Sequence, residues 1–140
     1  MKQIIFLFML ISSAYAQKFY LADCMLKSRK TVESIIKPKE ATPLSMNDRF
    51  DTYRYDDTIL VTYEYNVCTY IEVTSNIKFV AAQTKYTFDT FVTDKDMVFN
   101  KVFIYDKYKN QYLIDVFNDG TKEYSVSIQL MSKTPDRPIK

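Results

Sequence analysis

The chain has 140 residues, of which 47% are hydrophobic, 16% aromatic and 26% charged, and its formal net charge is +2. This composition supports one folded domain, and the small net charge gives no reason to expect nucleic acid as a partner. Histidine is absent and Gly120 is the single glycine. Ser-His-Asp and Cys-His catalysis, the common zinc ligand sets and glycine-rich phosphate loops are therefore excluded. We expect no enzyme, no cofactor and no metal site.

The first 16 residues have the three regions of a secretory signal peptide. Lys2 supplies the positive charge, residues 4–11 form the apolar segment, and residues 14–16 (Ala-Tyr-Ala) match a cleavage site. Eight apolar residues at about 1.5 Å each are too few to cross a bilayer core of about 30 Å. We therefore expect a signal peptide over 1–16, a single secreted domain over 17–140, and no membrane span in the mature chain.

Secretion sets an expectation for the two cysteines. Outside the cytosol, two cysteines in a small domain usually pair, and Cys24 with Cys68 is the one possible pairing. The sequence thus predicts a disulfide between the N-terminal segment and the strand region.

The N-terminal part predicts one short helix followed by a loop. Apolar residues between 23 and 36 follow a helical period, Asp23 can cap the start, and Pro38 forces an end. Residues 37–57 contain two prolines and show no sustained period, so we expect a connecting loop with at most a brief extended piece.

Most of the remaining chain predicts β-structure. From 59 to 67, apolar residues take every second position, and this alternation continues through Ile71 and Val73. Further short strands are expected from Ile77, Phe79 and Ala81 and from Tyr86 with Phe88. The clearest strands are expected over residues 97–105, 112–117 and 124–131, with an Asp-Gly turn at 119–120. The predicted fold class is mainly β, an antiparallel up-and-down meander or barrel with one short N-terminal helix.

The C-terminal third carries a family resemblance. Residues 102–117 are rich in tyrosine and include an Asp-Lys-Tyr turn, and residues 132–135 read Ser-Lys-Thr-Pro at the end of the last predicted strand. This pattern resembles the end of a lipocalin, especially the insect bilin-binding and apolipoprotein D-like group. The resemblance implies an eight-stranded cup that binds a small hydrophobic ligand inside.

Alternating side chains give a set of candidate ligand-binding residues. In a closed sheet, the inward positions would line a cavity, and tyrosines would add an apolar ring with one polar end. The simpler interpretation is that most of these residues only stabilise the sheet. The candidates are Tyr63, Tyr65, Ile71, Phe79, Phe88, Tyr112, Ile114 and Val126, with Val61 and Ile128 as further inward residues.

Two functions remain open from the sequence. The first is an extracellular carrier of a small hydrophobic molecule. The second is a secreted interaction protein, such as a salivary, venom or host-directed effector, whose solid β core presents aromatic residues to an extracellular protein. An immunoglobulin-like sandwich and a cystatin-type helix with a meander are the alternative folds. An interior cavity of about 300 Å³ or more favours the carrier, and a filled core favours the interaction protein.

Overall fold

The computed structural model describes residues 19–91, 95–98, 101–118, 120 and 122–133. The predicted signal peptide and the Thr-Pro of the lipocalin-like ending lie outside the described residues. The helices are α1 (Leu21–Cys24), α2 (Arg29–Ile36) and α3 (Ile77–Phe91), and the strands are β1 (Ala41–Met46), β2 (Phe50–Tyr55), β3 (Ile59–Glu64), β4 (Val67–Ser75), β5 (Lys95–Val98), β6 (Lys101–Tyr105), β7 (Gln111–Asn118) and β8 (Tyr124–Ser132).

The eight strands form one antiparallel sheet in the order β1-β2-β3-β4-β8-β7-β6-β5. The prediction of a mainly β, antiparallel fold is confirmed. The barrel alternative is wrong for the described residues, because β1 and β5 lie at opposite edges of an open sheet. Each half of the chain places its helices before a four-stranded meander: α1 and α2 precede β1 to β4, and α3 precedes β5 to β8. The two halves meet where β4 pairs with β8.

The segment predicted to resume the sheet after residue 76 is instead the 15-residue helix α3. Its buried residues are Phe79, Val80, Gln83 and Thr87, which recur at helical spacing. The helical period of this segment is hidden in the sequence because two of its buried residues, Gln83 and Thr87, are polar. The apolar residues alone therefore suggest the alternation of a strand.

A hairpin turn interrupts the long alternation that begins at Ile59. Tyr65 and Asn66 form a two-residue turn between β3 and β4, in which Glu64 pairs with Val67. A bulge at Thr69 then restores the original phase, since Tyr63 pairs with Cys68 whereas Thr62 pairs with Tyr70. The sequence therefore keeps its period across a reversal of the chain.

Three other boundaries differ from the expectation. The single predicted N-terminal helix is two helices, α1 and α2. The residue that caps α2 is Ser28 and not Asp23, because Ser28 Oγ accepts a hydrogen bond from the Thr31 N–H. The predicted loop over 37–57 contains β1 and β2. The predicted strand over 97–105 is divided between β5 and β6.

All three helices contact the sheet or each other on one side, which we call the helix face. Side chains that point to this face form the core, as the alternating burial of β3 illustrates: Ile59, Val61 and Tyr63 are buried and the residues between them are half-buried. The opposite side, the open face, carries Thr62, Tyr70 and Gln129 in register across β3, β4 and β8. No helix among the described residues is long and apolar enough to cross a membrane.

Candidate functional site

Most of the predicted ligand-binding side chains fill the core. They form one hydrophobic cluster between the sheet and the helices and leave little of their surface exposed. The cluster contains Tyr63, Ile71, Phe79, Tyr112, Ile114 and Val126, together with Val61 and Ile128. These residues therefore pack against each other and against the helices.

The hydroxyl of Tyr63 illustrates how fully the interior is paired. Tyr63 is 1% exposed, and its hydroxyl lies 2.9 Å from that of Tyr55. The Tyr55 hydroxyl donates to Glu33 Oε1 at 3.0 Å. Burial raises the pKa of both phenols, so both stay protonated at neutral pH.

Tyr112 belongs to a second buried network. Its hydroxyl donates to Asp106 Oδ2 at 3.1 Å, and the same carboxylate accepts from the backbone and the side chain of Asn110. The ring stacks on Phe91 with centroids 4.7 Å apart. Burial and the nearby Asp106 raise the pKa of Tyr112. This carboxylate joins the 106–110 turn to the core through Tyr112.

Two of the predicted residues lie at the surface. Tyr65 is 70% exposed at the tip of the β3–β4 hairpin, with φ of 47°. Positive φ is uncommon for a bulky side chain, and such two-residue turns usually hold Asn, Asp or Gly. Phe88 is half-buried on α3 and lines a groove.

This groove, the α3–β7 groove, has a volume of about 480 Å³. Helix α3 supplies most of its lining, where the exposed Ile77 and Ala81 lie beside the core residue Val80. Val116 of β7 forms the facing wall. The lining residues are Ile77, Val80, Ala81, Thr84, Lys85, Phe88, Asp89 and Val116. Ile77 and Val116 are 50% and 39% exposed, so both leave apolar surface in contact with water.

The rim of the groove carries one ion pair. Lys85 Nζ lies 2.7 Å from Asp89 Oδ2, one helical turn further along α3. Both side chains are largely exposed, so the pair contributes little to stability. The pKa of Lys85 is raised by its hydrogen bond to Asp89. The rim thus offers one cationic and one anionic group above an apolar floor.

The predicted disulfide is wrong, because Cys24 and Cys68 are free thiols. Both are fully buried, and each sulfur faces a nearby carbonyl: Tyr20 O at 3.8 Å for Cys24 and Tyr70 O at 3.7 Å for Cys68. The two segments are joined by backbone hydrogen bonds instead, since the Leu26 N–H donates to the Cys68 carbonyl at 2.9 Å. Burial raises the pKa of Cys24 to about 12 and also raises that of Cys68, so neither thiol is a nucleophile at neutral pH.

Reasoning from sequence missed most of the groove. Phe88 was found through its aromatic ring, but Ile77, Val80 and Ala81 were assigned to the wrong secondary structure or not singled out. Helical periodicity was the available signal, because residues 77, 80, 81, 84, 85 and 88 share one face of a helix. Nothing in the sequence indicates that Val116 faces them. Within the described ranges, no group of three or more Cys, Asp or Glu residues is placed to hold a metal ion.

Comparisons with protein-family models, curated proteins and solved structures find no match for this chain.

Proposed function

We propose that this chain is a secreted binding protein that holds a small hydrophobic molecule at its surface, in the α3–β7 groove, since the interior that the sequence suggested for a ligand is filled by core side chains. One observation carries the proposal: Ile77 and Ala81 of α3 stay exposed beside the core residue Val80, and together with Val116 they line an open groove of about 480 Å³. That volume lies within the range of about 300–1,000 Å³ typical of small-ligand sites, which are mostly apolar with few polar groups.

Binding at this groove needs no bond breaking. A ligand that covers Ile77, Phe88 and Val116 removes exposed apolar surface from water, and each Å² of this surface contributes about 25 cal/mol. The hydroxyl of Thr84 already donates to the Val80 carbonyl at 2.9 Å, so it does not demand a polar partner from the ligand. Lys85 and Asp89 provide the polar contacts that orient one end of the molecule.

The signal-peptide pattern in residues 1–16 supports secretion. Edman sequencing of the protein recovered from culture medium tests this part, and we expect it to begin at Gln17. The lipocalin resemblance remains a hypothesis, and binding in the α3–β7 groove does not depend on it because the groove lies outside the strand-lined interior.

Titration with the fluorescent apolar probe N-phenyl-1-naphthylamine tests the groove. We expect fluorescence enhancement with the native protein and its loss in Val116→Glu, which places a charge in the apolar wall. Leu44→Glu is the matched control, because Leu44 is also an exposed aliphatic residue on a strand, at 47% exposure, and it lies in β1 away from the groove. Equal enhancement in both variants, or none in the native protein, would reject the proposal.

A second candidate function, recognition of an extracellular protein, is favoured by Tyr65. A solid core and an aromatic ring that is 70% exposed at a hairpin tip suit a protein-recognition surface. Tyr65 also occupies a backbone conformation that a smaller residue adopts more easily, which is consistent with selection for binding. Affinity purification from the natural extracellular fluid with native and Tyr65→Asn protein tests it: a partner retained by both proteins would exclude Tyr65 as its anchor.

A further inference from the structure

Three turns and the end of β8 lie at one end of the sheet, which we call the loop end. The antiparallel register places them there, because β2, β4 and β7 begin at this end and β1, β3, β6 and β8 finish at it. The loop end consists of residues 47–49, 65–66, 106–110 and 131–133. The α3–β7 groove begins at the opposite end, where Ile77 starts α3 and Val116 lies near the end of β7.

Large apolar side chains are exposed at the loop end. Tyr65, Met131 and Tyr108 are 70%, 45% and 38% exposed. Tyr65 lies at the tip of the β3–β4 hairpin, Met131 near the end of β8, and Tyr108 in the turn between β6 and β7. Because neighbouring strands are about 4.8 Å apart, these three points form a row about 14 Å long. The three side chains are thus separate tips along one row.

Hydrogen bonds behind the tips fix two of these side chains in place. The Tyr65 N–H donates to the Arg49 carbonyl at 2.8 Å, which ties the hairpin to the 47–49 turn. Asp106 Oδ1 accepts from the N–H groups of Tyr108 and Asn110, at 2.8 and 3.0 Å. The backbone therefore presents both rings to solvent in set positions, which reduces the ordering cost of binding a surface.

Basic side chains surround the apolar tips. Lys107 and Lys109 flank Tyr108, and Lys133 follows Met131 by two residues. All three lysines are exposed, and Lys107 Nζ lies 4.9 Å from the centroid of the Tyr108 ring. A cation therefore lies within two residues of an apolar tip in both segments.

Little negative charge opposes these lysines at the loop end. Asp106 is 9% exposed and is bonded within its own turn, and Arg49 is paired with Glu64 Oε1 at 2.8 Å. Asp48 is the one exposed carboxylate of the loop end. Three exposed lysines thus stand against one exposed carboxylate, although the net charge of the whole chain is only +2.

This arrangement fits an anionic lipid surface better than a folded partner. Tyrosine is enriched where headgroups meet acyl chains, and lysines are attracted by the surface potential of anionic lipids. A folded partner would need a separate pocket for each tip, whereas a fluid bilayer closes around each of them. We propose that the loop end binds the surface of an anionic lipid membrane, with Tyr65, Tyr108 and Met131 in the interface and the lysines at the headgroups.

Flotation of the protein with lipid vesicles tests this surface. The vesicles contain phosphatidylcholine alone or phosphatidylcholine with about 30 mol% phosphatidylserine, which supplies the negative surface potential. We expect binding to the anionic vesicles that weakens as salt is added, and much weaker binding to the neutral ones. The double variant Lys107→Glu and Lys109→Glu should weaken binding about 30-fold, because each lysine near such a surface contributes about 1 kcal/mol.

Tyr65→Asn tests the apolar part of the contact, because the two-residue turn favours Asn and the fold is kept. It should weaken binding about threefold to tenfold, since one ring no longer enters the interface. Each variant has a matched control at the opposite end of the sheet. Lys39→Glu with Lys78→Glu changes two exposed lysines there, and Phe117→Asn changes an exposed ring near the end of β7. Both controls should bind like the native protein.

Equal affinity in the loop-end variants and their controls would overturn the proposal. Absence of binding to both kinds of vesicle would also overturn it and would leave Tyr65 to the recognition of a protein. Val116→Glu should bind vesicles like the native protein, because the contact does not depend on the α3–β7 groove. Loss of vesicle binding in this variant would place the lipid contact at the groove and not at the loop end.

Discussion

The hydroxyl groups of Tyr55 and Tyr63 form a one-directional chain of hydrogen bonds inside the core. Tyr55 donates to Glu33 at 3.0 Å, so it accepts from Tyr63, 2.9 Å away. Tyr63 has no other hydroxyl partner among the described residues. The two phenols are therefore unequal: Tyr55 has two partners and Tyr63 has one.

This inequality predicts that two similar substitutions lower the free energy of unfolding by different amounts. Tyr55→Phe leaves the buried Tyr63 hydroxyl unpaired and should lower the free energy of unfolding by about 1–3 kcal/mol. Tyr63→Phe leaves Tyr55 bonded to Glu33 and should cost about 1 kcal/mol or less. Urea unfolding of both variants and of the double variant measures this, and the double variant should lose less than the sum of the single losses. A larger loss in Tyr63→Phe would contradict the assigned direction.

The buried thiols predict loss of stability in alkali. The folded-state pKa of Cys24 is raised to about 12 by burial and, to a smaller degree, by Asp23, and that of Cys68 is raised by burial. An unfolded thiol ionises near pH 8.5, so the stabilisation is fully present below that pH and is lost as pH rises towards the folded pKa. Each thiol should lower the free energy of unfolding by about 1.4 kcal/mol per pH unit in this range.

Urea unfolding between pH 8 and pH 9 measures the slope, below the range in which unfolded tyrosines, with a pKa of about 10, ionise appreciably. Cys24→Ala and Cys68→Ala should each flatten it, whatever their effect at pH 7. In native protein, neither thiol should react with a disulfide reagent such as DTNB until the chain unfolds. Rapid labelling of the native protein, or an unchanged slope in both variants, would show that the thiols are not buried as described.

The side chain of Gln83 joins the N-terminal segment to α3. Its Oε1 accepts from the Leu21 N–H at 2.8 Å and its Nε2 donates to the Phe19 carbonyl at 2.9 Å. Gln83→Leu should lower the free energy of unfolding by about 2 kcal/mol, because it leaves the buried Leu21 N–H unpaired, and should speed hydrogen exchange at that amide. Gln129→Leu serves as the control and should leave both quantities unchanged. Protected exchange at Leu21 in the Gln83 variant would contradict this.

The errors of sequence reasoning share one physical origin. The 59–63 alternation was predictable because one face of β3 is buried and the other is half-exposed. The same period could not reveal the Tyr65–Asn66 reversal, since the Thr69 bulge restores the phase. Helix α3 was missed because its buried stripe includes Gln83, a polar residue whose partners come from residues 19–21. The sites depend on such long-range neighbours, which a local pattern does not contain.

Tyr65 predicts that one substitution makes the protein more stable. Tyr65 and Asn66 have φ values of 47° and 65°, as a type I′ turn requires. Tyr65→Asn should raise the free energy of unfolding by about 1 kcal/mol, because Asn tolerates this conformation better. Tyr65→Phe keeps the strain and should leave stability unchanged. Thermal and urea unfolding compare the three proteins, and a less stable Tyr65→Asn variant would mean that the ring stabilises the hairpin.

The position of Pro43 on the edge strand β1 predicts that this proline limits association between copies of the chain. The Asp56 N–H donates to the Glu40 carbonyl at 3.2 Å, and hydrogen-bonded positions alternate along a strand. Thr42 therefore faces β2, and position 43 faces outward, where proline removes an edge donor. All six residues of β1 are exposed and none is charged, so few other features discourage pairing with a second chain.

Pro43→Thr should accordingly restore an edge donor and cause concentration-dependent association, which light scattering coupled to size-exclusion chromatography measures. Thr42→Val is the control, because it changes a neighbouring side chain without adding a donor to the outer edge. An equal and concentration-independent mass for both variants would show that Pro43 is not what keeps this edge unpaired. Added charge should rescue the native behaviour: Leu44→Lys in the Pro43→Thr background is expected to suppress association, since like charges on the paired edges repel.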